Sequence, residues 1–166
     1  YGFLNLLKVN KVSIQDFNIL VLGSGGSSYS IIHCINSLSP KNIYVLSRNK
    51  NTENELVSFF KLKNYSISSF NSSNKYDIII NTTPIGAQEN LCIDILKNLY
   101  KSSLVIDINY INTNLSKSIF SKFSDCYISG IDMFIFQALS SLDIWFNQPL
   151  SKKLNYNELK QILNNE

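Results

Sequence analysis

The chain has 166 residues, a formal net charge of +3 and 45% hydrophobic residues, with a mean hydropathy near zero. That is enough for one domain with a real core, and the scattered Lys residues form no basic patch of the kind that nucleic acid or a membrane surface requires. No apolar run reaches the roughly 18–20 residues that span a bilayer, and Cys34, Cys92 and Cys126 form no C-x-x-C pair for a metal or a redox centre.

With no signal-peptide pattern in view, three spaced thiols read as reduced cysteines of a cytoplasmic protein. The composition is skewed toward Asn, Ile, Lys, Ser, Tyr and Phe, as an A+T-rich coding sequence would produce. Arg48 is the only Arg. The chain opens at Tyr1 and its one Met is Met133, so it reads as a piece of a longer protein.

Residues 1–14 predict a short amphipathic helix with Leu4, Leu7 and Val9 on its apolar face. Asn18–Leu22 is an apolar strand that runs into Gly23-Ser24-Gly25-Gly26-Ser27-Ser28. A helix from about Ser27 to Leu38 follows, burying Ile31, Ile32 and Ile35 and ending at Ser39-Pro40. Ile43–Leu46 is a second strand, Thr52–Lys61 a helix and Ser66–Phe70 a weaker third strand. The Ile run of residues 77–81 predicts a strand buried on both faces, as in a parallel sheet. It ends in Thr82-Thr83-Pro84-Ile85-Gly86, a loop marked by Pro and Gly.

A short helix is expected near Ile93–Leu99, then a strand over Leu104–Ile108, a helix over Leu115–Phe123 and a strand over Cys126–Ser129. Gly130 opens a long helix, Met133–Phe146, and a final helix spans Asn155–Leu163. Strand and helix alternate throughout. The expectation is an α/β fold: a Rossmann-like, doubly wound parallel sheet of about six strands with helices on both faces.

The Gly-rich turn suits a dinucleotide pyrophosphate. Gly23 permits the tight turn after the strand, Gly25 and Gly26 admit a phosphate close to the backbone, and small residues at Ser27 and Ser28 let the helix approach the sheet. Ser28 stands where the common fingerprint has its third Gly, and a turn without a ligand stays open at this point. An NAD site usually places an acid about 20 residues after the glycines, for the ribose 2′-hydroxyl. Here the second strand ends in Ser47-Arg48-Asn49, with no acid before Glu53. A guanidinium there suits the 2′-phosphate of NADP, although a solvated surface Arg would look the same.

Residues 81–86 face the same crevice either as an ordinary βα loop or as a lining for the ribose–nicotinamide half of the cofactor. Gln137, within an apolar helix, needs a partner and reads either as a satisfied core amide or as a ligand contact. His33 lies mid-helix with no nucleophile nearby and reads as structural or as a surface residue. No metal site is expected.

In order and spacing, Gly-Ser-Gly-Gly-Ser-Ser, Ser47-Arg48-Asn49, Asn81-Thr-Thr-Pro-Ile-Gly86, Asp107-Ile-Asn-Tyr110, Gly130-Ile-Asp-Met-Phe-Ile-Phe-Gln137 and Trp145 resemble the C-terminal half of shikimate dehydrogenase. Tyr1-Gly2-Phe3 is similar to the segment that enters its nucleotide domain. The resemblance implies NADP-dependent reduction of 3-dehydroshikimate to shikimate, in chorismate and aromatic amino-acid biosynthesis. It implies that Gly23, Gly25, Gly26, Ser27 and Ser28 cradle the pyrophosphate and that Ser47, Arg48 and Asn49 take the 2′-phosphate. Thr82, Thr83, Pro84 and Gly130 would border the nicotinamide, and Tyr110 and Gln137 would reach the substrate.

It further implies that the catalytic Lys and Asp lie in an N-terminal substrate domain outside these residues, so that this piece alone is inactive. Residues 1–14 would connect to that domain, 15–147 would be the NADP-binding domain and 148–166 a C-terminal helix packed on it. The full-length protein would bind a small-molecule substrate, no nucleic acid and no membrane, with room for a homodimer. The family usually has Asn-Arg-Thr at 47–49, Met at Ala87, and Pro and Thr near Asn112 and Leu115. An NAD-using quinate/shikimate paralogue and a non-catalytic nucleotide-binding module are the alternatives.

Overall fold

The structure, a computed structural model, describes residues 1–84, 104–111, 113–121 and 124–164. The helix expected near Ile93–Leu99, the end of the 81–86 loop and the end of the helix expected to reach Phe123 lie outside those residues. The described residues form two compact units, Ser13–Ser129 and Tyr1–Val12 with Gly130–Glu166. The helix after Gly130 therefore groups with the two terminal segments, whereas the sequence reading placed it within 15–147.

The larger unit is built on β1 (Asn18–Leu22), β2 (Asn42–Leu46), β3 (Ile67–Ser69), β4 (Ile78–Asn81), β5 (Leu104–Asp107) and β6 (Tyr127–Ile128). They make one sheet in the order β3-β2-β1-β4-β5-β6, and every pairing is parallel. This is the Rossmann-like doubly wound fold expected from the alternation. Ile19, Leu20, Val21, Ile78, Ile79 and Ile80 are all essentially inaccessible, which is why β1 and β4 read as unbroken apolar runs.

Helices α2 (Gly26–Asn36) and α3 (Lys50–Lys61) connect β1 to β2 and β2 to β3, and α4 (Thr113–Phe120) connects β5 to β6. Right-handed crossovers in this strand order put α2 and α3 on one face and α4 on the other. On the α4 face Leu20, Leu22, Leu46, Ile79 and Val105 pack with Phe120 and Tyr76. Chain direction reverses its spread between β1 and β4, and in such sheets ligands bind outside the strands' carboxyl ends at that point.

The second unit holds α1 (Gly2–Val9), α5 (Ile131–Phe146), a 3-10 turn (Leu150–Lys153) and α6 (Tyr156–Asn164). Its α1 face differs from the expected one. Phe3, Leu6 and Leu7 are buried, while Leu4 and Val9 are 41% and 43% exposed. The stripe at i, i+3, i+4 wins because Gly2 lies against α5: a Cβ there would fall 2.5 Å from Gln137 Cγ and 2.7 Å from the Met133 carbonyl oxygen. Leu159, Leu163 and Tyr156 of α6 cover Ile131, Ile135 and Leu139 of α5.

Several helix starts are earlier than the periodicity gave, among them α4 at Thr113 rather than Leu115. Asn49 accepts hydrogen bonds from the backbone N–H groups of Asn51 and Thr52 through Oδ1, which starts α3 at Lys50 rather than Thr52. Gly130 is the N-cap of α5, which begins at Ile131 rather than Met133. No described helix is long and apolar enough to cross a membrane.

Candidate functional site

At the end of β1 the chain turns through Gly23, whose φ of +110° lies where side chains strain. Space forbids a side chain as well, because a Cβ would sit 2.7 Å from Thr82 Oγ1 and 3.0 Å from Thr83 Cγ2. The Gly23 N–H donates to the Leu46 carbonyl at 2.8 Å, which seats the turn between β2 and β4. A Cβ on Gly25 or Gly26 would meet nothing within 4 Å. Neither glycine is demanded by the chain's own packing, so both leave backbone open on the solvent side. No side chain caps the start of α2 and its first turn carries no acid, so the helix start keeps its partial positive charge for an anion.

Ser28 does a different job from the one the resemblance implies. It is fully buried, its N–H donates to the Gly25 carbonyl at 3.0 Å and its Oγ lies 2.7 Å from Thr82 Oγ1. Thr82 spends its own proton on the Leu22 carbonyl at 2.7 Å, so Ser28 is the donor in that pair. Both Ser28 donors are used inside the protein. It clamps α2 to the sheet, while the exposed Gly25, Gly26 and Ser27 face solvent.

The end of β2 carries the charge. Arg48 is exposed and has no hydrogen-bond or ion-pair partner among the described residues. With Asn49, Lys50 and Asn51 it lines a shallow open depression. Glu53, the nearest acid in sequence, is completely buried. Its Oε2 accepts the Ser47 N–H at 2.7 Å, and Lys50 Nζ donates to both oxygens at 2.9 and 3.0 Å. Glu53 therefore presents no oxygen outward, and Lys50 is neutralised by it. Arg48 supplies the uncompensated charge at this strand end.

Sequence reasoning missed Ser24 and Thr52. Ser24 Oγ lies 2.8 Å from Ser47 Oγ and 2.7 Å from Thr52 Oγ1, and Thr52 donates to the Asn49 carbonyl at 3.1 Å. Nothing in the spacing signals this, because the middle residue of a Gly-x-Gly turn carries no pattern of its own.

At the carboxyl ends of β4 and β5, Asn81 and Asp107 stand side by side in register and both are fully buried. Asn81 Nδ2 donates to Asp107 Oδ1 at 2.9 Å. The same oxygen accepts the Asn109 N–H at 3.1 Å and Asn109 Nδ2 at 2.8 Å, and Tyr127 donates its hydroxyl proton to Oδ2 at 3.1 Å. Burial pushes the Asp107 carboxyl up despite these donors, and burial beside that carboxylate pushes the Tyr127 hydroxyl up too.

Thr83 Oγ1 donates to Asn81 Oδ1 at 2.6 Å. The Thr82 and Thr83 hydroxyls, expected to line the crevice, are thus turned into the protein; Pro84 is exposed. Tyr110 is 43% exposed just beyond this network.

Gly130 and Gln137 belong to the second unit. Gly130 is buried at the α5 cap. Gln137 is exposed, which excludes the core-amide reading. His33 is exposed and its Nδ1 lies 2.9 Å from the Tyr65 hydroxyl, a surface placement. Among the described residues no cluster of His, Cys, Asp and Glu could hold a metal.

A sequence 33% identical over 149 residues is the shikimate dehydrogenase (NADP(+)) of Clostridium botulinum strain Hall, matched over 87% of this chain. The chain is a relative of the shikimate dehydrogenases. That of Prochlorococcus marinus strain MIT 9515 is 34% identical over 164 residues, covering 88% of this chain. The chain spans little more than half of these shikimate dehydrogenases, 57% and 56% of their lengths. No protein-family model matches it. In fold it is similar to a chorismate mutase/shikimate 5-dehydrogenase fusion protein of Clostridium acetobutylicum, at a TM-score of 0.74 and 23% identity, over 99% of this chain and 60% of that one.

Proposed function

We propose that this chain is the NADP-binding half of a shikimate dehydrogenase, a cytoplasmic oxidoreductase reducing 3-dehydroshikimate to shikimate on the route to chorismate and the aromatic amino acids. The observation that carries this reading is the end of β2. Arg48 is exposed and unpaired among the described residues, and the one nearby carboxylate, Glu53, is buried with its oxygens taken. A 2′-phosphate has a guanidinium to meet, and a 2′-hydroxyl has no carboxylate to accept its proton. This favours NADP over the NAD-using quinate alternative. The relatives named for NADP-dependent shikimate dehydrogenation support the substrate class.

The residues present fit the cofactor. Gly25, Gly26 and Ser27 offer open backbone at an uncapped helix start for the pyrophosphate, with Gly23 and Ser28 holding the turn. Arg48 takes the 2′-phosphate, with Ser47 and the Asn49 amide beside it. On the family resemblance, the backbone of Thr82, Thr83 and Pro84 would border the nicotinamide and Tyr110 would reach the substrate. Bound NADPH would supply the hydride, and this chain would bind and orient it. The proton relay, a Lys and an Asp on the same resemblance, belongs to a substrate domain outside these residues, so the chain alone turns over no substrate.

Titration of the chain with NADPH and with NADH tests the reading. NADPH should bind at least about tenfold more tightly, as one charge-assisted pair would give. Equal or tighter NADH binding would overturn the cofactor assignment and, with it, the reductase reading built on it.

A further inference from the structure

The hydroxyls of Ser47, Ser24 and Thr52 form a directed chain. Thr52 gives its proton to the Asn49 carbonyl, which can only accept. Ser24 must then donate to Thr52 and Ser47 to Ser24, at 2.7 and 2.8 Å. Each hydroxyl has one proton, so the three assignments follow from the first. The chain runs from the end of β2, through the Gly-rich turn, to the first turn of α3.

The loop at 47–52 is fixed internally by other contacts: Glu53 holds the Ser47 N–H and the Asn49 side chain caps α3. Its attachment to the glycine turn is a separate matter. The backbone bond from Gly23 to Leu46 stops one residue short of Ser47. Beyond it, the link is the Ser24 hydroxyl, which bridges two residues on either side of Arg48. Ser24 is half-buried between its partners, and its neighbours Gly25 and Gly26 carry the open backbone.

We infer that Ser24 is a specificity-positioning residue, fixing the separation between the pyrophosphate cradle and Arg48 so that a ligand with both a pyrophosphate and a 2′-phosphate meets both at once. This rests on the NADP reading and adds to it. A ligand with two anionic groups at a covalently fixed spacing gains from two sites held at that spacing, because the ordering is done before binding. A ligand without the 2′-phosphate uses only the cradle and gains nothing from the tie. Ser24 thus acts through Arg48 and touches neither phosphate itself.

The test compares NADPH and NADH affinities of the 166-residue chain with Ser24→Ala, Thr52→Val and the double variant, with a thermal melt of each. Ser24→Ala should weaken NADPH binding roughly three- to tenfold, the equivalent of one hydrogen bond, and leave NADH affinity and the melt unchanged. Thr52→Val should do the same, and the double variant should be no worse than the weaker single one, since both cut one chain. An unchanged NADPH/NADH ratio, or an equal loss for both cofactors, would overturn the inference. Additive losses in the double variant would also overturn it. If the unaltered chain prefers NADH or binds neither, the NADP reading itself has failed, which the comparison of variants cannot mimic.

Discussion

At Gly23 the backbone sits at φ +110° and an added Cβ would strike Thr82 Oγ1 at 2.7 Å, whereas at Gly25 it would meet nothing. The two glycines therefore separate stability from binding. Gly23→Ala should destabilise the fold by roughly 1–3 kcal/mol, read by chemical or thermal denaturation. Gly25→Ala should leave the melting temperature unchanged and weaken NADPH binding, read by titration. Asp107 makes a third residue-scale case. Asp107→Ala removes the acceptor of the Asn109 N–H and the Tyr127 hydroxyl, leaves the Asn81 and Asn109 amides only the Thr83 carbonyl, and should cost on the order of 3 kcal/mol. Asp107→Asn keeps an acceptor at Oδ1 and should cost less.

Of these residues the sequence showed the glycines and Arg48, because backbone freedom and a lone Arg at a strand end are local properties. It did not show that Ser28, Thr82 and Thr83 face inward, or that Asn81 and Asp107 are partners. Those facts depend on the register of β1, β4 and β5, and single-sequence patterns do not carry register.

Among the elements, α6 is held to α5 by one buried acid. Asp132 accepts the Tyr156 hydroxyl at 2.5 Å and Asn10 Nδ2 at 2.8 Å, and pairs with Lys160 Nζ at 2.6 Å. Burial pushes its carboxyl up. The hydrogen bonds from Lys160, Tyr156 and Asn10 outweigh that and hold it below the ordinary 3.8. A depressed acid stabilises the fold above its unfolded pKa, and that contribution is lost as pH falls through the folded value.

Asp132→Asn should therefore lower stability near neutrality, by roughly 1–2 kcal/mol once solvent screening around the part-exposed Lys160 is discounted. The gap to the unaltered chain should close as the pH falls below about 4. Thermal melts from pH 7 to pH 3 would show it; a gap constant with pH would contradict the assignment. The helices themselves were legible from periodicity. The α1 face was not, because the choice between the Leu4 and Leu6 stripes was made by Gly2 packing on α5.

For the molecule as a whole, strand order puts the Gly-rich turn, the Arg48 strand end and the Asn81–Asp107 pair at the carboxyl edge of one parallel sheet. That edge was legible from the strand–helix alternation alone. The central claim is that it recognises a 2′-phosphate through Arg48, and the most direct measurement is the affinity of Arg48→Ala for NADPH and NADH. NADPH binding should weaken by roughly 1–3 kcal/mol with NADH binding unchanged. A variant that loses both equally, or neither, would contradict it.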